Sequence, residues 1–137
     1  MGCASLQMMR DISIWIGSDY VSVGMPNHIY LEQYATILRT AFNAIPYHVG
    51  SSVTTKSNWR DVDVRLILDD EVWEQWGFGD PYRPNLKWTA YCAAFAELGR
   101  KMTELPIDFQ IQQMSMANEY YKPPAHTREA LGIMYKE

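Results

Sequence analysis

VGSSVTTKSNWRDVDV, residues 49–64, is the stretch that decides how the rest of the chain is read. It opens on Gly50-Ser51, a small-residue turn directly behind Tyr47-His48-Val49. After residues 52–60 it closes on Asp61-Val62-Asp63-Val64, and Leu66, Ile67 and Leu68 continue the run. Acids alternating with β-branched residues predict a strand. Side chains at i and i+2 share a face, so Asp61 and Asp63 point one way while Val62 and Val64 enter the core. At a rise of about 3.3 Å per residue their bases lie roughly 6.6 Å apart. Like charges side by side on a sheet face repel, so the pair is costly unless it has a counter-charge to hold.

Composition bounds the rest. The chain has 137 residues, 47% of them hydrophobic, which predicts one domain over residues 1–137 with a sizeable core. A net charge of −4 gives no long-range pull on nucleic acid or an anionic membrane. Cys3 and Cys92 make neither a disulfide framework nor a metal-ligand spacing. No apolar run approaches a membrane span, and no signal peptide is visible. Met1-Gly2-Cys3 lacks the Ser or Thr that myristoylation wants at position six, where Leu6 stands. A cytoplasmic protein is expected.

In chain order, Ile12, Ile14 and Ile16 alternate with polar or aromatic partners ahead of Gly17-Ser18-Asp19, predicting an N-terminal β-hairpin through 20–23. Ile16-Gly17-Ser18 mimics the Gly-Ser turn, but Ile29-Tyr30-Leu31 stands where an acid pair would be needed. Asn27 is the expected cap of a helix over 28–43, with Tyr30, Tyr34, Ile37, Leu38, Ala41 and Phe42 facing the core and Ile45 just beyond. Glu32, Gln33, Thr36, Arg39, Thr40 and Asn43 are expected on its outer face. Pro46 ends it, and 47–49 is a short strand.

Beyond the acid pair, Asp69-Asp70-Glu71 leads into a short helical turn capped by one of these acids. Residues 77–84 form a Gly/Pro-punctuated aromatic loop beside the expected site. A second helix spans about 85–103, with Trp88, Tyr91, Cys92, Phe95, Leu98 and Met102 as its apolar stripe. Cys92 reads as a buried small hydrophobe. After Pro106, a strand over 107–111 turns Ile107, Phe109 and Ile111 inward and Asp108, Gln110 and Gln112 outward. Periodicity lapses from Met114, and 130–135 is expected to form a last helical turn. His28, His48 and His126 lack a partner at ligand spacing, so a zinc site is not expected. The fold class that follows is α+β, a mixed sheet of about four to five strands packed by two main helices.

The spacing of Val49-Gly50-Ser51 and Asp61-Val62-Asp63-Val64, with an apolar-flanked acid in Ile107-Asp108-Phe109, resembles the signature of the nucleotidyltransferase fold, the superfamily of DNA polymerase beta. The resemblance covers roughly residues 28–112. It is similar to the small stand-alone members of bacteria and their viruses, some of which act as antitoxins while others modify antibiotics or tRNA. Trp59-Arg60 departs from the Ser that often precedes the acid pair in such members, and no second domain is visible to bind an acceptor.

What the resemblance implies is a metal-dependent transfer of a nucleoside monophosphate from an NTP to a hydroxyl of an acceptor, releasing pyrophosphate. Asp61, Asp63 and Asp108 would be catalytic and hold two Mg²⁺ or Mn²⁺ ions. Gly50 and Ser51 would cradle the terminal phosphates, aided by Lys56 and Arg60. Arg65 falls on the face of the aspartates, to pair with a carboxylate or reach the α-phosphate. The acceptor is a protein, a tRNA or a small molecule, and a second copy or a partner chain is expected to complete its site. No membrane partner is implied. Two other readings stay open: a non-catalytic module of the same fold that binds a partner protein, and a metal-dependent phosphohydrolase using the same acids.

Overall fold

The alternating strand around Asp63 forms the middle of a mixed sheet. The structure is a computed structural model that describes residues 26–50, 53, 61–120 and 128–133. Among these residues the order is α1 (Asn27–Phe42), β1 (Pro46–Val49), β2 (Val62–Leu68), α2 (Asp70–Trp76), α3 (Leu86–Thr103), β3 (Ile107–Gln113), α4 (Met114–Tyr120) and β4 (Glu129–Ala130). The sheet runs β3-β2-β1-β4. β1 pairs antiparallel with β2 and β4, while β2 and β3 run parallel. The fold is therefore α+β with a mixed sheet. The expected N-terminal hairpin, with Ile16-Gly17-Ser18, lies outside the described residues, as does His126.

Period-two alternation separates the faces of the sheet. Val62, Val64, Leu66, Ile107, Phe109 and Ile111 are buried on one face with Tyr34, Leu38 and Phe42 of α1 and Cys92 and Ala96 of α3. The α2 ring Trp73 and the loop ring Phe78 close the same core at 5.2 Å between centroids. Burying rings and branched aliphatics of this size is the main source of stability, at about 1.5–3 kcal/mol per fully buried side chain.

Several expectations are corrected by the packing. Asn27 is the first residue of α1, and its amide donates to the Thr103 carbonyl at 2.8 Å instead of capping its own helix. Glu32 and Gln33 are buried, whereas Ile37, Ala41 and Ile45 are exposed. The reason is the C-terminal segment. Gly132 lies so close to the α1 backbone that a Cβ there would meet Ala35 at 2.9 Å. Its N–H donates to Glu32 Oε2 at 2.7 Å, and Arg39 donates to its carbonyl at 2.9 Å. This chain segment covers a face that helical spacing alone would leave to solvent.

In α3, Ala96, Gly99 and Thr103 take the buried face and Leu98 is exposed. Asn85 is the cap, its side-chain oxygen accepting from Trp88 N at 3.1 Å. Asp69 occupies the cap position of α2 without a side-chain cap bond, and Asp70 instead accepts from Ser115 N at 3.1 Å. Residues 114–120 are a helix, not an aperiodic tail, and of the helical turn expected at 130–135 the described part, 130–133, holds the end of β4 and the buried Leu131 instead, while 134–135 lie outside the described residues. Two residues of β4 are too few for alternation to signal a strand.

Candidate functional site

β2 and β3 carry their polar side chains to the sheet face opposite the main core. Their parallel register sets Asp63 beside Asp108, Arg65 beside Gln110 and Ile67 beside Gln112. Asp61 stands just before β2. One carboxylate oxygen from each of Asp61, Asp63 and Asp108 lies within 4.8 Å of the others. The sequence expectation that these three acids meet in one place agrees with this geometry.

Gly50 closes the cluster from the β1 side, where Val49 is the register partner of Asp63. Its φ of +81° is a left-handed conformation that glycine adopts without steric cost. A Cβ there would collide with Oδ2 of Asp63. The two halves of the 49–64 stretch are thus in contact. Val53 N donates to the Gly50 carbonyl at 3.2 Å as the chain leaves the turn. Ser51, Lys56 and Arg60 lie outside the described residues.

Arg65 is the cation paired with the acids on this face. Its Nη2 lies 3.5 Å from Asp108 Oδ2, and its Nη1 donates to the carbonyls of Asp108 at 2.8 Å and Val64 at 3.2 Å. The guanidinium is mostly buried, with 13% of its side chain exposed, so the fold holds it in place. The structural pairing expected of Arg65 is present.

Burial pushes the Asp63 carboxyl above its ordinary value. Arg65 opposes the shift, while Asp108, Asp61 and a hydrogen bond between the Asp63 and Asp108 side chains reinforce it. Two carboxylates this close favour holding a proton between them. An all-oxygen, anionic donor set with a raised carboxyl suits a hard divalent cation, which would displace that proton. The residues present therefore fit Mg²⁺ or Mn²⁺.

A cavity of about 100 Å³ adjoins the acids, lined by Val49, Gly50, Asp63, Arg65, Ile67, Gln112 and Arg128. Sequence reading assigned nothing to Gln112 or Arg128. Gln112 was visible in principle, since it shares the alternation that turns Asp108 outward. Arg128 had no signal, because it reaches this face through β4, too short to announce itself. It donates to Asn118 Oδ1 at 2.9 Å and to the Ala117 carbonyl at 3.0 Å.

The remaining candidates are structural. Burial pushes the Cys92 thiol up to about 11, and its sulfur accepts from Ile111 N at 3.5 Å. His48 is buried on the core side of β1, away from the acids, and His28 is buried in the first turn of α1. Among the described residues no helix is long and apolar enough to cross a membrane. No family model, curated protein or solved structure matches this chain.

Proposed function

We propose that the chain is a metal-dependent nucleotidyltransferase of the nucleotidyltransferase fold, moving a nucleoside monophosphate from an NTP to an acceptor hydroxyl. The observation that carries this reading is the meeting of Gly50 with Asp63 inside the three-acid cluster. A glycine turn pressed against clustered carboxylates brings a site for phosphates next to a site for cations. A hydrolase would need the acids but has no use for such a turn beside them.

Asp61, Asp63 and Asp108 would hold the cation. When bound, Mg²⁺ or Mn²⁺ would neutralise phosphate charge and lower the pKa of the acceptor hydroxyl. Asp108, nearly half exposed, would take the proton of that hydroxyl. The acceptor oxygen forms the new bond to the α-phosphorus, the bond from that phosphorus to the bridging oxygen breaks, and pyrophosphate leaves. Arg65 keeps the Asp108 carboxylate oriented and offsets part of the acidic charge as the triphosphate approaches. Gly50 lets the backbone approach the phosphates closely.

Incubation with Mg²⁺, each α-labelled NTP and a cell lysate tests the reading. Label should move to a discrete acceptor in the wild type and not in Asp63→Asn. No transfer from any NTP, or equal transfer by both proteins, would sink it.

A further inference from the structure

Beyond the acids, the outward face of β3 continues into a second cavity of about 350 Å³. Gln110 and Gln112 bound it on the sheet side, with Trp88, Tyr82, Met116 and Tyr120 around them. Gln112 lines this cavity and the smaller one at Gly50 and Asp63 alike. One molecule lying across Gln112 would therefore occupy both. Along a parallel strand, Gln110 is about 6.6 Å and Gln112 about 13 Å from Asp108.

The Gln112 side chain is the link between the two cavities. The residue is 4% exposed overall and lines both, so its carboxamide is the polar group that a ligand lying across them would meet. Gln110, half-buried on the same face, lines the larger cavity beside it.

The walls are aromatic and already fixed. Tyr82 donates its hydroxyl proton to Glu119 Oε2 at 2.5 Å, and its backbone N–H donates to Asp80 Oδ1 at 2.9 Å. The Tyr82 and Tyr120 rings meet edge to face at 5.9 Å, and Trp88 Nε1 donates to the Ile111 carbonyl at 2.8 Å. Rings held in advance favour a flat ligand, because little ordering remains to be done on binding. Among the described residues, neither cations nor acids line the groove itself.

We propose that this groove takes the adenine ring of the nucleotide, with the Gln110 and Gln112 amides reading its edge. A carboxamide presents one donor and one acceptor, which match adenine N7 and N6, whereas the corresponding edge of guanine presents two acceptors and calls for a cation. The assignment rests on the nucleotidyltransferase reading, since it is the phosphates at Gly50 and the acids that place the base beyond Gln112.

Equilibrium dialysis against the four nucleosides, without metal, tests the groove apart from the chemistry. Adenosine should bind at least about tenfold more tightly than guanosine, cytidine or uridine, as expected from a hydrogen-bonded pair to the edge. Gln112→Leu, which keeps the size and removes the carboxamide, should erase that preference. Tyr82→Ala, on an exposed loop, should weaken adenosine about tenfold or more through lost stacking, whatever Gln112→Leu does to folding. Tripolyphosphate with Mg²⁺ should bind Tyr82→Ala like the wild type. Equal binding of the four nucleosides, or unaltered adenosine affinity in Tyr82→Ala, overturns the groove. Selective adenosine binding without nucleotidyl transfer supports the groove and counts against the transfer reading alone.

Discussion

Gly50 and Asp63 occupy one another's side-chain space: a methyl group on the glycine would collide with Oδ2 of the aspartate. Their closeness is fixed by the β1–β2 register, in which Val49 faces Asp63.

Gly50→Ala is accordingly expected to destabilise the fold and disturb the acids together. The left-handed backbone alone costs a non-glycine residue about 1–2 kcal/mol, and the collision adds to it. Chemical denaturation should show at least that loss, and calorimetry should show weakened Mn²⁺ binding. A variant that folds and binds like the wild type would place the turn away from the acids.

Asp63→Asn should separate function from stability. The folded-state pKa of Asp63 is raised, so folding is opposed once pH climbs past the unfolded value, and this penalty is complete above the folded one. Asparagine has no such penalty. At neutral pH the variant should be as stable as the wild type or more so, while transfer is abolished. Unfolding of Asp63→Asn would make the carboxylate a structural group.

His48 sets the acid limit. Burial, with His28 as a second cause, lowers its pKa from 6.5 to about 4. The unfolded chain then binds the proton more readily, so stability is full above about 6.5 and falls as pH drops towards 4. The displacement corresponds to roughly 3 kcal/mol. His48→Gln should flatten the stability profile across that window. Glu129, the register partner of His48 on β4, is the acid nearest in the sheet. An unchanged profile in the variant would assign the acid limit to another group.

Gly99→Ala tests the helix contact beneath the sheet. Alanine favours an exposed helix interior by about 1 kcal/mol over glycine. Here its Cβ would stand 2.7 Å from Tyr34 Cζ, and the ring cannot swing away because its hydroxyl donates to the Phe95 carbonyl at 2.7 Å. Overpacking of this kind costs about 1–3 kcal/mol, so the melting temperature should fall. A rise would mean that Tyr34 moves freely.

Strands β1 to β3, the two long helices and the acid triad were legible because each is written in local pattern. Asp108 could be read from its apolar neighbours Ile107 and Phe109, and its outward direction from alternation. What local pattern could not carry was burial imposed from elsewhere. Glu32 and Gln33 read as solvent-facing because the segment that covers α1 arrives from about 100 residues away, through the Gly132 bond to Glu32. Leu98 read as core because helical spacing fixes a stripe only to within one neighbouring column, and Gly99 was the residue that let Tyr34 approach. Gln112 was seen to face outward, but that its amide stands between two cavities depends on the 81–84 loop and α4.

The parallel pairing of β2 with β3 has one further consequence. Asp63 and Asp108 stand side by side only because residues 69–106, with α2 and α3, cross from one strand to the next. In an unfolded chain these carboxylates are separated by a long loop and offer a divalent ion no chelate. Such an ion would bind the folded form alone, so its concentration enters the folding equilibrium by mass action. Each tenfold rise beyond saturation would add about 1.4 kcal/mol to the unfolding free energy.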